Sequence, residues 1–200
     1  MHIKNLKKYY FINRFEYSHL INLDKNISFI WRNKDRETSL ETLVKLSDFC
    51  KKNQRKFYIS DNIKLANDVK ADGVYISSSN KKLNSKFFSF KNKFKIIGSA
   101  HNLKEIKLKE LQNIKEIFIS PLFKDKTNKR LSIYRYLKLK HTTYMKDISL
   151  GGINEKNIKK LKLIKPYGFA GISFFDKKKR PLKRGLLNSL KIMIRMRTQY

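Results

Sequence analysis

The chain has 200 residues, of which 40% are hydrophobic and 12% aromatic, so one core and a single domain over residues 1–200 are expected. No apolar run approaches the roughly 20 residues that cross a bilayer, and no signal-peptide core is present, which predicts a cytoplasmic protein without membrane spans. The formal charge of +31 would attract polyanions, but the lysines are spread through every segment. Nucleic-acid binding therefore stays a distant alternative.

Short β-branched or aromatic runs alternate with longer stretches of helical period, which indicates βα units around a parallel sheet. The predicted strands are Tyr9–Asn13, Ile27–Arg32, Lys56–Ser60, Gly73–Ser77, Lys95–Ser99, Glu116–Ser120, Asp147–Gly151 and Phe169–Phe174. Predicted helices include Ser39–Lys52, Ile63–Lys70, Leu103–Gln112, Glu155–Lys165 and a closing Leu182–Met196, with N-caps at Ser39 and Asn154.

The number and spacing of these strands favour a single (β/α)8 TIM barrel. An open doubly wound parallel sheet, which usually has five or six strands, is the alternative. Two connections are less regular than the rest: Glu16–Asn26 is short for a helix, and Asn80–Asn92 is weakly periodic. The one cysteine, Cys50, lies among leucines at helical spacing and is expected to be a buried thiol rather than a nucleophile.

Two glycine-bearing segments end the last two predicted strands. Leu150-Gly151-Gly152-Ile153 is followed about twenty residues later by Gly168–Ser173. Glycines let backbone N–H groups approach an anion closely, and the usual phosphate site of a TIM barrel follows strands 7 and 8. The pair therefore predicts a phosphate site, although Gly151-Gly152 could also be no more than a tight turn.

Polar residues follow most of the other predicted strands, at the face where barrel enzymes place their active sites. Arg32 and Lys34 lie two residues apart after strand 2, Asp61 follows strand 3, and His101 follows strand 5. Cations, hydroxyls and a carboxylate around one mouth indicate a second anionic group, such as a pyrophosphate carried with Mg²⁺. Taken singly, the lysines could be solvated, Asp61 could cap a helix, and His101 could be a loop histidine.

In their order along nearly the whole chain, short motifs resemble those of thiamine phosphate synthase and its TenI-like relatives. They are Ile30–Asp35 for Q-L-R-x-K-D, Ser60-Asp61 for N-D, Ala71–Asn80 for A-D-G-V-H-(L/I)-G-Q-x-D, Gly98–His101 for G-x-S-x-H, Ser120–Lys129 for G-P-x-F-x-T-x-T-K, Gly151–Asn157 for G-G-I-x-x-x-N and Gly168–Ser173 for G-V-A-V-I-S.

The resemblance implies an enzyme of thiamine biosynthesis that joins hydroxymethylpyrimidine diphosphate to thiazole phosphate. Pyrophosphate would be released in the presence of Mg²⁺. The implied site residues are Arg32, Lys34 and Lys129 as catalytic cations, Asp61 and Asn80 at the metal, and Ser60, Ser99, Thr127, Gly151, Gly152, Ile172 and Ser173 at the substrate phosphates.

Four departures from the family pattern fall at this same site. The family's second metal-binding Asp is Asn80, and the other changes are Ile30 for Gln, Ser60 for Asn, and Asn128 for the loop Lys unless Lys129 replaces it. They predict weakened Mg²⁺ binding. They also keep open a TenI-like paralogue, either a thiazole tautomerase or a non-catalytic barrel that binds a phosphorylated metabolite. Pro121 stands in the region where tautomerases carry a histidine, and a homo-oligomer is left open.

Overall fold

Eight parallel strands close into a barrel in chain order, each paired with its neighbours and the last paired with the first. The structure is a computed structural model that describes residues 3–32, 38–83, 94–124 and 130–176. Its strands are β1 Lys7–Ile12, β2 Ile27–Trp31, β3 Phe57–Ser60, β4 Gly73–Ile76, β5 Lys95–Ala100, β6 Glu116–Ile119, β7 Lys146–Leu150 and β8 Gly168–Gly171. The pairing of Lys7 with Gly168 closes the ring, so the (β/α)8 barrel is confirmed and the open sheet is wrong.

The helices lie between the strands. They are α1 Tyr17–Leu20, α2 Leu40–Lys52, α3 Ile63–Asp68, α4 Leu103–Leu111, α5 Ile133–Lys140 and α6 Leu161–Ile164, with 3₁₀ turns at Ile3–Asn5 and Ile158–Lys160. Four of them begin at a Ser or Asn whose side chain accepts a hydrogen bond from the backbone N–H three residues on: Ser39, Asn62, Asn102 and Ser132. Within the described ranges, no helix is both long and apolar enough to cross a bilayer.

The core has two layers because successive strand residues point to opposite faces. Tyr9 and Phe11 of β1 point into the barrel, whereas Tyr10 and Ile12 face the helices. The barrel interior is filled by Tyr9, Phe11, Ile30, Tyr58, Tyr75, Ile97, Phe118, Ile148 and Ala170. Burying each large apolar side chain contributes about 1.5–3 kcal/mol. Side chains therefore fill the interior, as in other TIM barrels, whose active sites lie at the carboxyl end of the strands.

The amino end of the barrel is sealed by buried polar groups that pair with one another. The Glu116 carboxylate accepts hydrogen bonds from the Tyr9 hydroxyl and from the Lys7 ammonium, the latter at 2.6 Å. On β7, Asp147 accepts from the Tyr136 hydroxyl at 3.0 Å and lies 3.3 Å from the Lys140 ammonium. These carboxylates have protein partners, which leaves the carboxyl end of the strands for function.

Strand and helix boundaries differ from the predicted ones where local turns intervene. The eighth strand ends at Gly171 rather than Phe174, because the N–H groups of Phe175 and Asp176 both donate to the Ile172 carbonyl and form a turn. The helix predicted over Glu155–Lys165 begins late. The Asn154 side chain first accepts hydrogen bonds from the N–H groups of Lys156 and Asn157, and helical structure starts at Ile158.

Several predictions on connections have separate outcomes. The Glu16–Asn26 connection is indeed short, with a helix of only four residues. Helix α5 is not among the helices named from the sequence, and α3 ends at Asp68 rather than Lys70.

Cys50 is fully buried, and burial raises the pKa of its thiol to about 12, which confirms the buried thiol. The closing helix Leu182–Met196 and most of Asn80–Asn92 lie outside the described residues.

Candidate active site at the carboxyl rim

The predicted site residues that the structure describes lie at one end of the barrel. Strand register aligns Ser60 with Tyr75, Ser99 with Phe118, and Leu150 with Ala170, so the strands end at a common level. The carboxyl rim, as we define it, comprises Arg32, Ser60–Asn62, Ser77–Lys82, Ser99–Asn102, Ser120–Lys124, Gly151–Asn154 and Ile172–Asp176. Lys34, Thr127, Asn128 and Lys129 lie outside the described residues.

Arg32 stands over the aromatic floor of this end. Its backbone N–H donates to the Ile12 carbonyl at 2.9 Å, and its guanidinium lies 5.9 Å from the centre of the Phe11 ring. Burial raises the pKa of the neighbouring Tyr75 phenol to about 12, while the Ser99 hydroxyl and the Arg32 guanidinium lower it. The Arg32 and Ser99 side chains therefore both interact with this buried phenol.

Asp61 is held at the end of β3 in a left-handed conformation, with φ of 58°. Its Oδ1 accepts hydrogen bonds from the Ser77 N–H at 2.8 Å and the Asn80 amide at 3.0 Å, and its Oδ2 accepts from the Ser60 hydroxyl at 3.0 Å. Asn62, rather than Asp61, caps α3 by accepting from the Leu65 N–H. Asp61 is exposed, so its carboxylate faces the rim instead of serving the helix.

Both polar atoms of the Asn80 side chain have partners, one in the loop after β3 and one in its own loop after β4. The amide nitrogen donates to Asp61, and the oxygen accepts from the Lys82 N–H at 3.1 Å. Within the described ranges, no three His, Cys, Asp or Glu side chains cluster as a metal centre would require. The residues fit a Mg²⁺ ion that takes one carboxylate, Asp61, and completes its shell with substrate phosphates and water, rather than a two-carboxylate centre.

A buried pair on α4 supports this loop and was missed by sequence reasoning. The side chains of Lys109 and Gln112 are both fully buried. The Lys109 ammonium donates to the carbonyls of Ser77 and Asn80 at 2.7 and 2.9 Å. A signal existed, because Ile106, Lys109 and Gln112 are spaced three apart and so fall on the inward face of the helix.

His101 links the loops that follow three consecutive strands. Its Nδ1 lies 2.8 Å from the Ser120 carbonyl oxygen, and its Nε2 lies 3.0 Å from the Ser78 hydroxyl. A carbonyl can only accept, so Nδ1 carries the proton and Nε2 accepts from Ser78 in the neutral ring. His101 is therefore a satisfied loop histidine that braces the rim.

The glycine pair after β7 forms a tight turn with another loop packed on it. Gly151 and Gly152 have φ of 96° and 65°, and a Cβ on Gly152 would lie 2.5 Å from the Lys124 carbonyl oxygen. The loop after β6 donates to this turn, from Leu122 N–H to the Leu150 carbonyl at 2.8 Å and from Phe123 N–H to the Gly151 carbonyl at 3.1 Å. The turn is thus required by packing, whether or not it also binds an anion.

Three backbone N–H groups lie at and beside this turn, those of Gly152, Ile172 and Ser173. Ile172 and Ser173 are exposed, and the Ile153 carbonyl lies 4.0 Å from the position of a Cβ on Gly171, so the β7 and β8 turns are neighbours. Among the residues that the structure describes, none accepts a hydrogen bond from the N–H groups of Gly152, Ile172 or Ser173. Neighbouring N–H groups of this kind are suited to an anion.

Comparison with known proteins adds a family to this geometry. The family model for thiamine monophosphate synthase matches residues 23–175. The chain belongs to this family. The curated thiamine-phosphate synthase of Pelagibacter ubique is 31% identical over 183 residues, covering 86% of this chain and 87% of that protein. That of Staphylococcus epidermidis is 30% identical over 132 residues, and the match spans only 59% of its length.

Solved structures agree with the barrel assignment for this family member. The chain superposes on the thiamine phosphate pyrophosphorylase from Pyrococcus furiosus with a TM-score of 0.67 and 15% identity, covering 89% of this chain and 92% of that one. At this identity the likeness concerns the fold alone. The sequence relatives support a role in thiamine biosynthesis, as the motif resemblance implied.

Proposed function

We propose that this member of the thiamine monophosphate synthase family joins hydroxymethylpyrimidine diphosphate to thiazole phosphate and releases pyrophosphate. One observation carries the proposal: two different anion-binding arrangements lie on one rim. Backbone N–H groups follow β7 and β8, whereas Arg32 and Asp61 follow β2 and β3, and Ser99 lies near the carboxyl end of β5. A reaction between two phosphorylated substrates needs two such arrangements side by side.

The N–H groups of Gly152, Ile172 and Ser173 would bind the phosphate of the thiazole. Their donors are fixed in place by turns, and the glycine leaves the approach free of a Cβ. This phosphate takes no part in bond making. Its role is to orient the thiazole ring nitrogen toward the pyrimidine carbon that loses pyrophosphate.

Arg32 and Ser99 would bind the departing pyrophosphate, together with Lys34 and Lys129, which the motif resemblance assigns to it, while Thr127 would bind a substrate phosphate. Negative charge grows on the pyrophosphate as the carbon–oxygen bond breaks. Cations held in position stabilise that charge more in the transition state than in the ground state, and so lower the barrier. The packed aromatic side chains beneath Arg32 exclude water and strengthen this attraction.

Asp61 would hold a Mg²⁺ ion that arrives with the diphosphate. When bound, the ion neutralises part of the pyrophosphate charge. In this arrangement Asn80 lies at the metal site as the residue that orients Asp61, and Ser60 does the same from the other carboxylate oxygen. One carboxylate in place of two predicts a higher Mg²⁺ requirement.

The partners in this proposal are two small phosphorylated precursors. We further propose that the protein acts in the cytoplasm as one barrel domain. A basic nucleic-acid-binding protein is the competing interpretation of its charge of +31. That interpretation predicts salt-sensitive oligonucleotide binding without affinity for either precursor.

The deciding experiment is incubation of the purified protein with both precursors and Mg²⁺, followed by detection of thiamine monophosphate and pyrophosphate. Calorimetry with thiazole phosphate separates an enzyme from a non-catalytic binder, because a binder takes up the ligand without turnover. Ser173→Asp places a carboxylate beside the phosphate and should abolish binding. Ser173→Ala is the matched control, since it keeps the backbone N–H, and a loss of binding in this variant would contradict the backbone assignment.

A further inference from the structure

Lys109 is a charged side chain with no exposed surface, whereas most of the other lysines in the described ranges face solvent. Its ammonium donates three hydrogen bonds, to the carbonyls of Ser77 and Asn80 at 2.7 and 2.9 Å and to the Gln112 side chain at 2.8 Å. An ammonium has three donors, and each of them has a partner here. The group is therefore fully used inside the protein and directed at one loop.

The Gln112 side chain also binds the loop after β4. Its amide nitrogen donates to the carbonyls of Asn80 and Lys82 at 3.0 and 2.8 Å, while its oxygen accepts from Lys109. The two side chains together bind the Ser77, Asn80 and Lys82 carbonyls. This fixes the course of the loop after β4 from below.

The fixed loop in turn holds Asp61. The Ser77 N–H and the Asn80 amide are the two donors to Asp61 Oδ1, and both belong to residues whose carbonyls bind Lys109. The contacts run from α4 through the loop to the carboxylate without a gap. A shift of the loop would therefore move Asp61.

Burying an ammonium is costly, and a folded protein retains such a group only when it is well paired. Burial lowers the pKa of Lys109 to about 8, and the carboxylates of Asp61 and Glu105 oppose that shift. An apolar residue at this helical position would avoid the cost but would remove one of the two donors to each of the Ser77 and Asn80 carbonyls, which would keep only the Asn80 N–H and the Gln112 amide. We therefore infer that the hydrogen bonds of Lys109 hold the loop after β4 in one conformation.

We propose that Lys109 is a positioning residue that fixes Asp61, through the loop after β4, for the substrate that carries pyrophosphate. The inference rests on the proposed function of the same rim, and it adds a residue to which no family motif in the sequence points. Thiazole phosphate binds at the opposite turns, after β7 and β8, and should not depend on Lys109.

The test is Lys109→Met, which keeps most of the side-chain volume and removes the ammonium. At saturating thiazole phosphate, kcat/KM for hydroxymethylpyrimidine diphosphate should fall on the order of 10- to 100-fold, as for other small misplacements of catalytic groups. Half-maximal activity should require more Mg²⁺, and calorimetric affinity for thiazole phosphate should stay within about twofold. Lys107→Met is the matched control, because Lys107 is exposed on the same helix and pairs with Glu110. This variant should change neither kcat/KM for the diphosphate nor the affinity for thiazole phosphate.

Equal losses toward both substrates, or unchanged diphosphate kinetics in a folded Lys109→Met protein, would overturn the positioning role. Gln112→Leu serves if Lys109→Met does not fold, since it removes two loop hydrogen bonds and keeps the ammonium, and it should show the same one-sided loss. If the wild type makes no thiamine monophosphate but binds Mg²⁺ pyrophosphate, the proposed reaction fails, while a selective loss of pyrophosphate affinity in Lys109→Met still supports positioning. A wild type that binds no pyrophosphate overturns both.

Discussion

Polar groups at the two ends of the barrel differ in their burial and in their hydrogen-bond partners. At the amino end, Glu116 and Asp147 are buried and bonded to Tyr9, Lys7 and Tyr136. At the carboxyl end, Asp61 is exposed, and N–H groups after β7 and β8 have no acceptor among the described residues. Polar groups of the first kind contribute stability, whereas those of the second kind are available to ligands. The comparison predicts that substitutions at the two ends have different effects.

The largest effect is expected for Asp61→Ala. Loss of the carboxylate should reduce Mg²⁺-dependent thiamine monophosphate formation by about 100- to 1000-fold, because a preorganised charge acts on the transition state. The unfolding free energy should fall by only about 1–2 kcal/mol, from the lost hydrogen bonds and the left-handed φ of 58°, so the variant should still fold. Asp68→Ala, an exposed carboxylate on the following helix, is the control for both assays. An unchanged rate in Asp61→Ala would show that the metal assignment is wrong.

Glu116→Gln should have the reverse profile. It removes the charge that pairs with Lys7 and accepts from Tyr9, which should lower the unfolding free energy by about 2–3 kcal/mol. Chemical denaturation measures this loss, and kcat of the folded variant should be nearly that of the wild type. Glu110→Gln breaks an outer ion pair with Lys107 and should cost less than about 1 kcal/mol. A lower kcat in folded Glu116→Gln would show that the amino end also affects activity, contrary to the comparison.

Gly152→Ala should affect both properties, because this residue serves packing and the proposed phosphate site. Its φ of 65° and the 2.5 Å approach of the Lys124 carbonyl to a Cβ leave no room for alanine. We expect roughly tenfold weaker thiazole phosphate binding by calorimetry and a loss of about 1–2 kcal/mol in stability. Reduced stability with unchanged binding would favour the tight turn as the sole role of the glycine pair.

The smallest effect is expected for Asn80→Asp, which restores the second carboxylate of the family pattern. The Mg²⁺ concentration for half-maximal activity should fall by about threefold to tenfold, because the cation gains an anionic ligand. A Mg²⁺ titration of the initial rate measures this shift. Asn67→Asp, an exposed change on α3, controls for the added negative charge. A higher Mg²⁺ requirement in Asn80→Asp would indicate that the hydrogen bond to Asp61 outweighs the new charge.

The eight strands could be predicted because their apolar residues recur in short runs, and the barrel because the runs number eight. The family followed from motifs such as Gly151–Asn157, and the family comparison confirms it. The site residues that the structure describes lie on one rim, and the roles of all the predicted site residues stay predictions.

Features that depend on contacts between distant segments could not be predicted. In a chain with 47 Lys and Arg residues, Lys109 would be expected to be solvated like the others. Its burial is explained by the loop after β4, whose Ser77 carbonyl accepts a hydrogen bond from its ammonium. The pairing of Glu116 with Lys7 likewise requires closure of the barrel, since 109 positions separate the two residues. Asn62 rather than Asp61 caps α3, because the left-handed conformation of Asp61 turns its carboxylate toward Ser77.

The ring of Phe11 supports Arg32 from below and belongs to a column of aromatic side chains. Phe11 contacts Tyr75 and Phe118 at centroid distances of 5.1 and 6.1 Å, and Phe118 contacts Tyr9 at 4.9 Å near the sealed end. The packed side chains of this column cannot reorient around a charge as bulk water does, so the dielectric response beneath Arg32 is low. Water on the outer side is therefore the main medium that screens the Arg32 guanidinium, and an anion that displaces this water meets a charge that the barrel interior hardly weakens.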